Sequence, residues 1–251
     1  MSEPADWYEL ARYYDVLFSW DPQREVDFVL GASARYGRGR PGRSFEPFCG
    51  AGRLLPHVPG AVGSDLSQAM LEIARGRGPV FRADAARLGL APESFDLAYC
   101  LIDSFRHLQR EAQAQSHLCA VARALRPGGV YVLGFDVESG RAPAEAQEAW
   151  SMKRGGLEVA AEIDVLPGPP GAEAEVMRVR LRVDDNGRRS SLESRQPLRI
   201  WTPQAVRGLV AHSGLELVAC FDRRYDLEAP RALETVPGSA VLVLRRANVP
   251  G

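Results

Sequence analysis

Between residues 44 and 137 the chain alternates strand-like and helix-like segments five times, and no other feature restricts its fold as much. Ser44–Phe48 reads as a short strand entering a glycine turn, and RLLPHV as a short helix broken at Pro56. AVGSD (61–65) is a second strand, followed by the helix SQAMLEIARGR, and PVFRAD (79–84) is a third strand. FDLAYCLI (95–102) is a fourth, apolar as a strand covered on both faces must be. Gln109–Leu125 predicts a helix with Leu118, Val121, Ala122 and Leu125 on one side; RPGG (126–129) predicts a turn, and VYVLGFDV (130–137) a fifth strand. Strands separated by helices pair in parallel through right-handed crossovers, so the expected architecture is α/β with a doubly wound, mostly parallel sheet.

The flanks differ. Residues 1–36 look helical, with Trp7, Leu10, Ala11, Tyr14, Val16, Leu17 and Phe18 on an apolar face and EVDFVLGASARYG as a second helix. After Val137, GLEVAAEIDVL, AEVMRVRLRVDD and SLESRQPLRIW show partial period-two alternation with turns at PGPPG and DNG, the latter a hairpin signal. The expected division is therefore a core of residues 1–138 plus 196–251 and an antiparallel β insertion over 139–195, either a substrate cover or a dimer contact. TPQAVRGLVAHSG reads as a helix capped by Thr202 with proline in its first turn. LELVACFDRR and SAVLVLRR close the sheet.

Charge and cysteine content exclude several function classes. A formal net charge of −1, and ten basic against ten acidic residues across 139–200, give no grip for nucleic acid. Cys49, Cys100, Cys119 and Cys220 are scattered without a C-x-x-C pair, so no metal is expected, and reduced thiols fit a cytoplasmic protein. The N-terminus lacks a basic segment followed by an apolar one, and no apolar run approaches the ~20 residues of a membrane span, so no membrane partner is expected.

In doubly wound sheets ligands lie beyond the carboxyl ends of the strands. That rule gathers the turn FEPFCGAGR (45–53), Asp65, Asp84 and the 103–107 segment on one rim. A pyrophosphate would need G-x-G-x-x-G at a helix N-terminus, but Leu55 stands at the third position and Glu46 would repel the anion. No Gly-Lys-Ser/Thr follows, so a phosphate-binding loop of that type fails too. A phosphate-free nucleoside carrying positive charge fits better. The glycines admit close backbone approach, Glu46 can hold an ammonium, Asp65 can accept from two ribose hydroxyls, and Asp84 can accept from an adenine amine. S-adenosylmethionine has these groups.

FEPFCGAGR, GSDLSQAML, FRADAARL, FDLAYCLIDSFRHL and LRPGGVYVLGFDV, in this order and spacing, resemble successive motifs of the class I S-adenosylmethionine-dependent methyltransferases. The resemblance covers roughly 44–137, with weaker echoes in YYDVLF and WTPQAVRGLVAHSGLELV. It implies a Rossmann-like sheet of seven strands with an N-terminal helical lid, and S-adenosylmethionine as cofactor. It places Glu46 and Gly50 at the methionine end, Asp65 on the ribose, Leu66 and Met70 against the adenine, and Asp84 and Ala85 at the adenine edge, with Phe48, Cys49 and Gly52 of the turn also on the cofactor. Leu101 lies beneath the cofactor, and Tyr14 matches a tyrosine that closes over the methionine end in small-molecule members. Two departures stand out: Phe48 occupies the usual first glycine, and the stretch between Gly52 and Asp65 is short.

Methyl transfer needs alignment and exclusion of water, with a general base where the nucleophile arrives protonated. His107 and Asp103 are the candidate catalytic groups, and Ser104, Arg106, Asp136 and Trp201 the candidate substrate contacts. His57, His117 and His212 read as packing or surface residues. The layout resembles small-molecule members, especially those methylating amino groups of sugars or amino acids. The expected activity is therefore methyl transfer to a small polar metabolite, at nitrogen before oxygen or carbon, by a chain that forms a homodimer. A nucleotide-dependent oxidoreductase and a non-catalytic cofactor-binding module are the rival readings.

Overall fold

The computed structural model describes residues 7–138, 147–169, 171–236 and 238–247. Residues 1–6, residues 139–146 where the insertion is expected to begin, and Pro170 of the PGPPG turn lie outside the described residues. In chain order the strands are β1 (Ser44–Pro47), β2 (Ala61–Asp65), β3 (Val80–Arg82), β4 (Phe95–Cys100), β5 (Leu125–Asp136), β6 (Gln147–Arg154), β7 (Leu157–Pro167), β8 (Ala174–Asp185), β9 (Arg188–Arg199), β10 (Leu215–Asp222) and β11 (Ser239–Arg246). The helices are α1 (Ala11–Leu17), α2 (Gln23–Tyr36), α3 (Gln68–Ala74), α4 (Glu111–Ala124) and α5 (Pro203–Ala211).

Seven strands form the main sheet in the order β10-β11-β5-β4-β1-β2-β3. Neighbouring pairs among β1 to β5 are parallel, and β11 runs antiparallel to both β5 and β10. The connection order reverses between β1 and β4, which is the switch point where such sheets open a crevice.

Alternation along β4 divides the core. Leu97 and Tyr99 face α2, where Val26, Phe28, Val29 and Ala32 repeat at helical spacing; Ala98 and Cys100 face the other side with Tyr131, Leu133 and helices α4 and α5. Each fully buried side chain of this size contributes about 1.5–3 kcal/mol of transfer free energy. Cys100 and Cys220 are buried in strands, and all four cysteines are free. Thr202 caps α5, its hydroxyl oxygen accepting from Ala205 N at 3.1 Å.

The four strands β6-β7-β8-β9 form a separate antiparallel sheet. Its inner face, with Val159, Ala161, Val179, Leu181 and Val183, packs on Trp7, Val16 and Leu17. The DNG signal is a two-residue turn: Asn186 (φ 54°) and Gly187 (φ 90°) join the paired residues Asp185 and Arg188.

Three local readings change. Strand β1 stops at Pro47 because Phe48 turns left-handed (φ 56°). RPGG is carried inside β5 as a bulge: pairing with β4 jumps from Phe95↔Leu125 to Leu97↔Val130, and Gly128 (φ 77°) supplies the bend. Strand β6 carries no clear alternation in sequence and takes its conformation from its partner β7.

Candidate active site

The crevice begins at the turn after β1. Phe48, Gly50 and Gly52 all have positive φ, at 56°, 52° and 76°. Gly52 has a packing reason as well, since a Cβ there would lie 2.8 Å from Leu55 Cδ1 and 3.1 Å from Ala74 Cβ. Phe48 takes the left-handed conformation without glycine's freedom, its ring 5.3 Å from that of His117. Cys49 is buried against Gly63, and burial pushes its thiol far above the ordinary range, which leaves it a packing group rather than a nucleophile.

Two acids close the turn. Asp65, ending β2, accepts from Gly50 N at 2.8 Å through one oxygen and from Ser67 N at 2.9 Å through the other. Burial raises its pKa against the pull of these amides. Ser67, not Asp65, caps α3, its hydroxyl accepting from Met70 N at 3.2 Å. Glu46 is 7% exposed and accepts from the Tyr99 hydroxyl at 3.3 Å. Burial pushes it up to about 8, against the opposing Tyr99 hydrogen bond and Arg53 charge.

Further along the rim, Leu66 is 59% exposed, an unusual position for a large apolar side chain and a ready platform for a flat ligand. Asp84 accepts from Ala86 N at 2.9 Å and starts a short turn of 3-10 helix, Ala85–Arg87, with its side chain at the surface. Ala85 is buried, and its carbonyl accepts from His117 Nδ1 at 3.0 Å. His117 also meets the Tyr131 hydroxyl at 2.9 Å, and burial holds it at about 4, so it is a neutral packing group at physiological pH. Met70 is fully buried with Ala11 and Ala51, beneath the rim rather than on it.

Tyr14 of α1 leans over the turn, 3.6 Å from where a Cβ on Gly50 would sit. It shares a small pocket of about 50 Å³ with Glu46, Phe48, Arg53 and Leu101. Beyond Leu101 a larger cavity of about 400 Å³ opens between the N-terminal segment, the end of β4 and the second sheet.

Asp103, Ser104, His107 and Asp136 line that cavity. The His107 ring meets the Tyr8 hydroxyl, with 2.5 Å between Nε2 and oxygen. Asp103 sits at φ 50° and accepts from Asp136 N at 2.8 Å; burial and the Asp136 carboxylate raise it to about 6. Two residues expected at the substrate lie elsewhere. Arg106 is 2% exposed and wholly engaged: Asp103 lies at 3.3 Å, Asp136 at 3.6 Å, Arg199 O at 2.8 Å, and Glu175 of β8 pairs with its other end. Trp201 is 1% exposed and packs on Phe105 within the core. Both are too well covered by neighbouring chain to face a ligand.

Several residues to which the sequence assigns no role in the site also line these cavities: Trp7, Tyr8, Phe18, Trp20, Glu25 and Trp150 around the larger one, and Arg53 in the smaller. A crowding of aromatics between Trp7 and Trp20 is the sequence signal for them. Among the described residues no group of His, Cys, Asp and Glu is arranged to hold a metal ion, and no helix is long and apolar enough to cross a membrane.

Residues 46–133 match the profile of a methyltransferase domain family. No curated protein sequence matches the chain significantly. Among solved structures, a S-adenosylmethionine-dependent methyltransferase from Clostridium acetobutylicum superposes with TM-score 0.71 at 18% identity, covering 96% of this chain and 98% of its own. A sugar N-methyltransferase from Streptoalloteichus gives TM-score 0.71 at 21% identity, covering 99% and 96%. An amino pentose methyltransferase from Micromonospora echinaspora, solved with S-adenosylmethionine bound, gives 0.67 at 21% identity, covering 98% and 100%. The fold is shared along the whole length, and the segment that matches the methyltransferase domain profile spans the glycine turn and both flanking acids.

Proposed function

We propose that this protein is an S-adenosylmethionine-dependent methyltransferase and that it acts on an amine nitrogen of a small polar metabolite of the amino-sugar or amino-acid type. The observation that carries the reading is the make-up of the larger cavity. Aromatic rings of Trp7, Tyr8, Phe18, Trp20 and Trp150 share it with the carboxylates of Asp103, Asp136 and Glu148, against the guanidinium of Arg223 at the wall and that of Arg106 behind the two aspartates. Aromatic faces and carboxylates both attract a cation, which is the form in which an aliphatic amine arrives at neutral pH. The solved relatives whose titles name a sugar N-methyltransferase and an amino pentose methyltransferase support the same class of acceptor.

The donor set on the rim fits the cofactor. Glu46 is held neutral by burial and gains from an arriving ammonium; Asp65 and Asp84 offer oxygens to hydroxyl and amine donors; Leu66 presents an apolar face beside them. When bound, S-adenosylmethionine supplies a methyl group already activated by its sulfonium for in-line displacement. Glu46, Gly50 and Tyr14 would hold its methionine end, Asp65 and Leu66 its ribose and adenine, and Asp84 with Ala85 the adenine edge.

The chain's remaining work is to collect the amine, remove a proton and exclude water. Asp103 and Asp136 draw the ammonium to the end of β4. His107, oriented by Tyr8, takes the proton and leaves the nitrogen lone pair free to attack. The α1 segment serves as lid: the Ser67 hydroxyl donates to Tyr8 O at 3.0 Å, and Asp15 pairs with both Arg77 and Arg154 at 2.5 Å, tying α1 to the core and to the second sheet. That second sheet covers the acceptor.

Labelled methyl donor offered with pools of amino sugars, amino acids and hydroxy acids tests the reading. The expected product carries its label on nitrogen. Label on oxygen or carbon contradicts the acceptor class, and cofactor binding without any product favours a non-catalytic module.

A further inference from the structure

We propose that Arg53 receives the carboxylate of the cofactor's methionine end and that Glu25 and Trp20 hold it in place for that task; the inference rests on the cofactor reading above. Arg53 directly follows Gly52, so the glycine turn delivers its side chain to the same small pocket that Glu46 and Tyr14 line. Among the residues around that pocket it is the sole cation.

The guanidinium is fixed before any ligand arrives. Its two terminal nitrogens donate to the two oxygens of Glu25 at 3.0 and 2.7 Å. The guanidinium carbon lies over the Trp20 ring, 4.7 Å from its centroid, and Trp20 Nε1 donates to the same Glu25 carboxylate at 3.3 Å. Glu25 stands in the first turn of α2, so the clamp is anchored on a helix packed against the main sheet. The fork to Glu25 uses one N–H from each terminal nitrogen. The remaining guanidinium donors have no protein acceptor among the described residues.

Two physical considerations point to a ligand. An ion pair this well covered, with side chains 14% and 9% exposed, carries a desolvation cost that an apolar pair of similar volume avoids. Here it stands at the wall of a ligand pocket, where a fixed planar donor has a use. The second consideration is charge. An amino-acid end is a zwitterion and needs an acidic and a basic receptor side by side. Glu46 is the acidic one, and Arg53 acts on it through space, opposing the upward push of burial. Planar guanidinium donors match a carboxylate in geometry as well as sign, which an ammonium does not.

The test compares calorimetric affinities for adenosylhomocysteine and for decarboxylated adenosylhomocysteine, which keeps adenosine, thioether and amine and lacks the carboxylate. The protein is expected to prefer the complete ligand by about 10- to 100-fold. Arg53→Met is expected to lose that preference, weakening adenosylhomocysteine by the same factor while the decarboxylated ligand changes less than about threefold. Should Arg53→Met fail to fold, Arg53→Lys and Arg53→Gln give the same readout, the preference falling from Arg to Lys to Gln. A preference that survives the substitutions, or an equal weakening of both ligands, overturns the assignment. Failure of the unaltered protein to bind either ligand overturns the cofactor reading itself, and this inference with it.

Discussion

Glu46 at the end of β1 accepts from the Tyr99 hydroxyl of β4 at 3.3 Å, and burial, with a smaller push from the Asp65 carboxylate, holds it at about 8 rather than its ordinary 4.5. An acid with a raised folded-state pKa contributes stability that is complete below its unfolded value and is lost as pH rises through the folded value. The ligand-free protein should therefore lose thermal stability between about pH 4.5 and 8, and Glu46→Gln should flatten that part of the profile. An ammonium group brought against Glu46 reverses the preference, so adenosylhomocysteine, through its amino-acid ammonium, should displace a proton below pH 8 and bind more tightly as pH rises towards that value. Titrations in two buffers of different ionisation enthalpy measure the proton count; zero release at pH 7 contradicts this account of Glu46.

Phe48 at φ 56° isolates a backbone effect. Phe48→Ala and Phe48→Gly both delete the ring and its contact with His117. Glycine also removes the left-handed penalty of about 1 kcal/mol, so the glycine variant should be the more stable of the two by about that amount. Denaturant titration of both checks it, and the ordinary order, alanine above glycine, would show the backbone unstrained.

Arg106 joins the ends of β4 and β5 to the second sheet through Asp103, Asp136 and Glu175. Arg106→Met strands these carboxylates beside a buried methionine and should cost about 3–5 kcal/mol. A loss below ~1 kcal/mol in chemical denaturation would mean that solvent reaches the site and the network holds nothing together.

His107→Gln should lower kcat about 10²- to 10³-fold and leave adenosylhomocysteine affinity within about threefold, because a general base acts on the acceptor and not on cofactor binding. Equal losses in both would make His107 a packing residue for the cofactor cleft.

What local pattern encodes was legible. The alternation gave the sheet, Thr202 its helix cap and Asn186-Gly187 its hairpin, because each depends on neighbours a few residues away. That Glu46, Asp65 and Asp84 fall at or just beyond the ends of neighbouring strands was legible because each follows its own strand pattern. Partners distant in sequence were not. Nothing near Arg106 announces Glu175, so an arginine expected at the substrate is consumed inside the fold. Nothing near Arg53 announces Glu25, a residue of an earlier helix. Trp201 belongs to a strand-to-helix junction whose burial is decided by Phe105. Strand β6 is set by its register with β7 rather than by its own alternation.

The central claim is that a cationic, phosphate-free nucleoside is held by carboxylates on neighbouring strand ends, with Asp65 as the pivot between turn and ligand. Calorimetric titration of the protein and of Asp65→Ala with adenosylhomocysteine tests it most directly. The account predicts micromolar binding by the unaltered protein and a loss of at least about 100-fold in the variant. Equal affinity in the two proteins, or no binding by either, would contradict it.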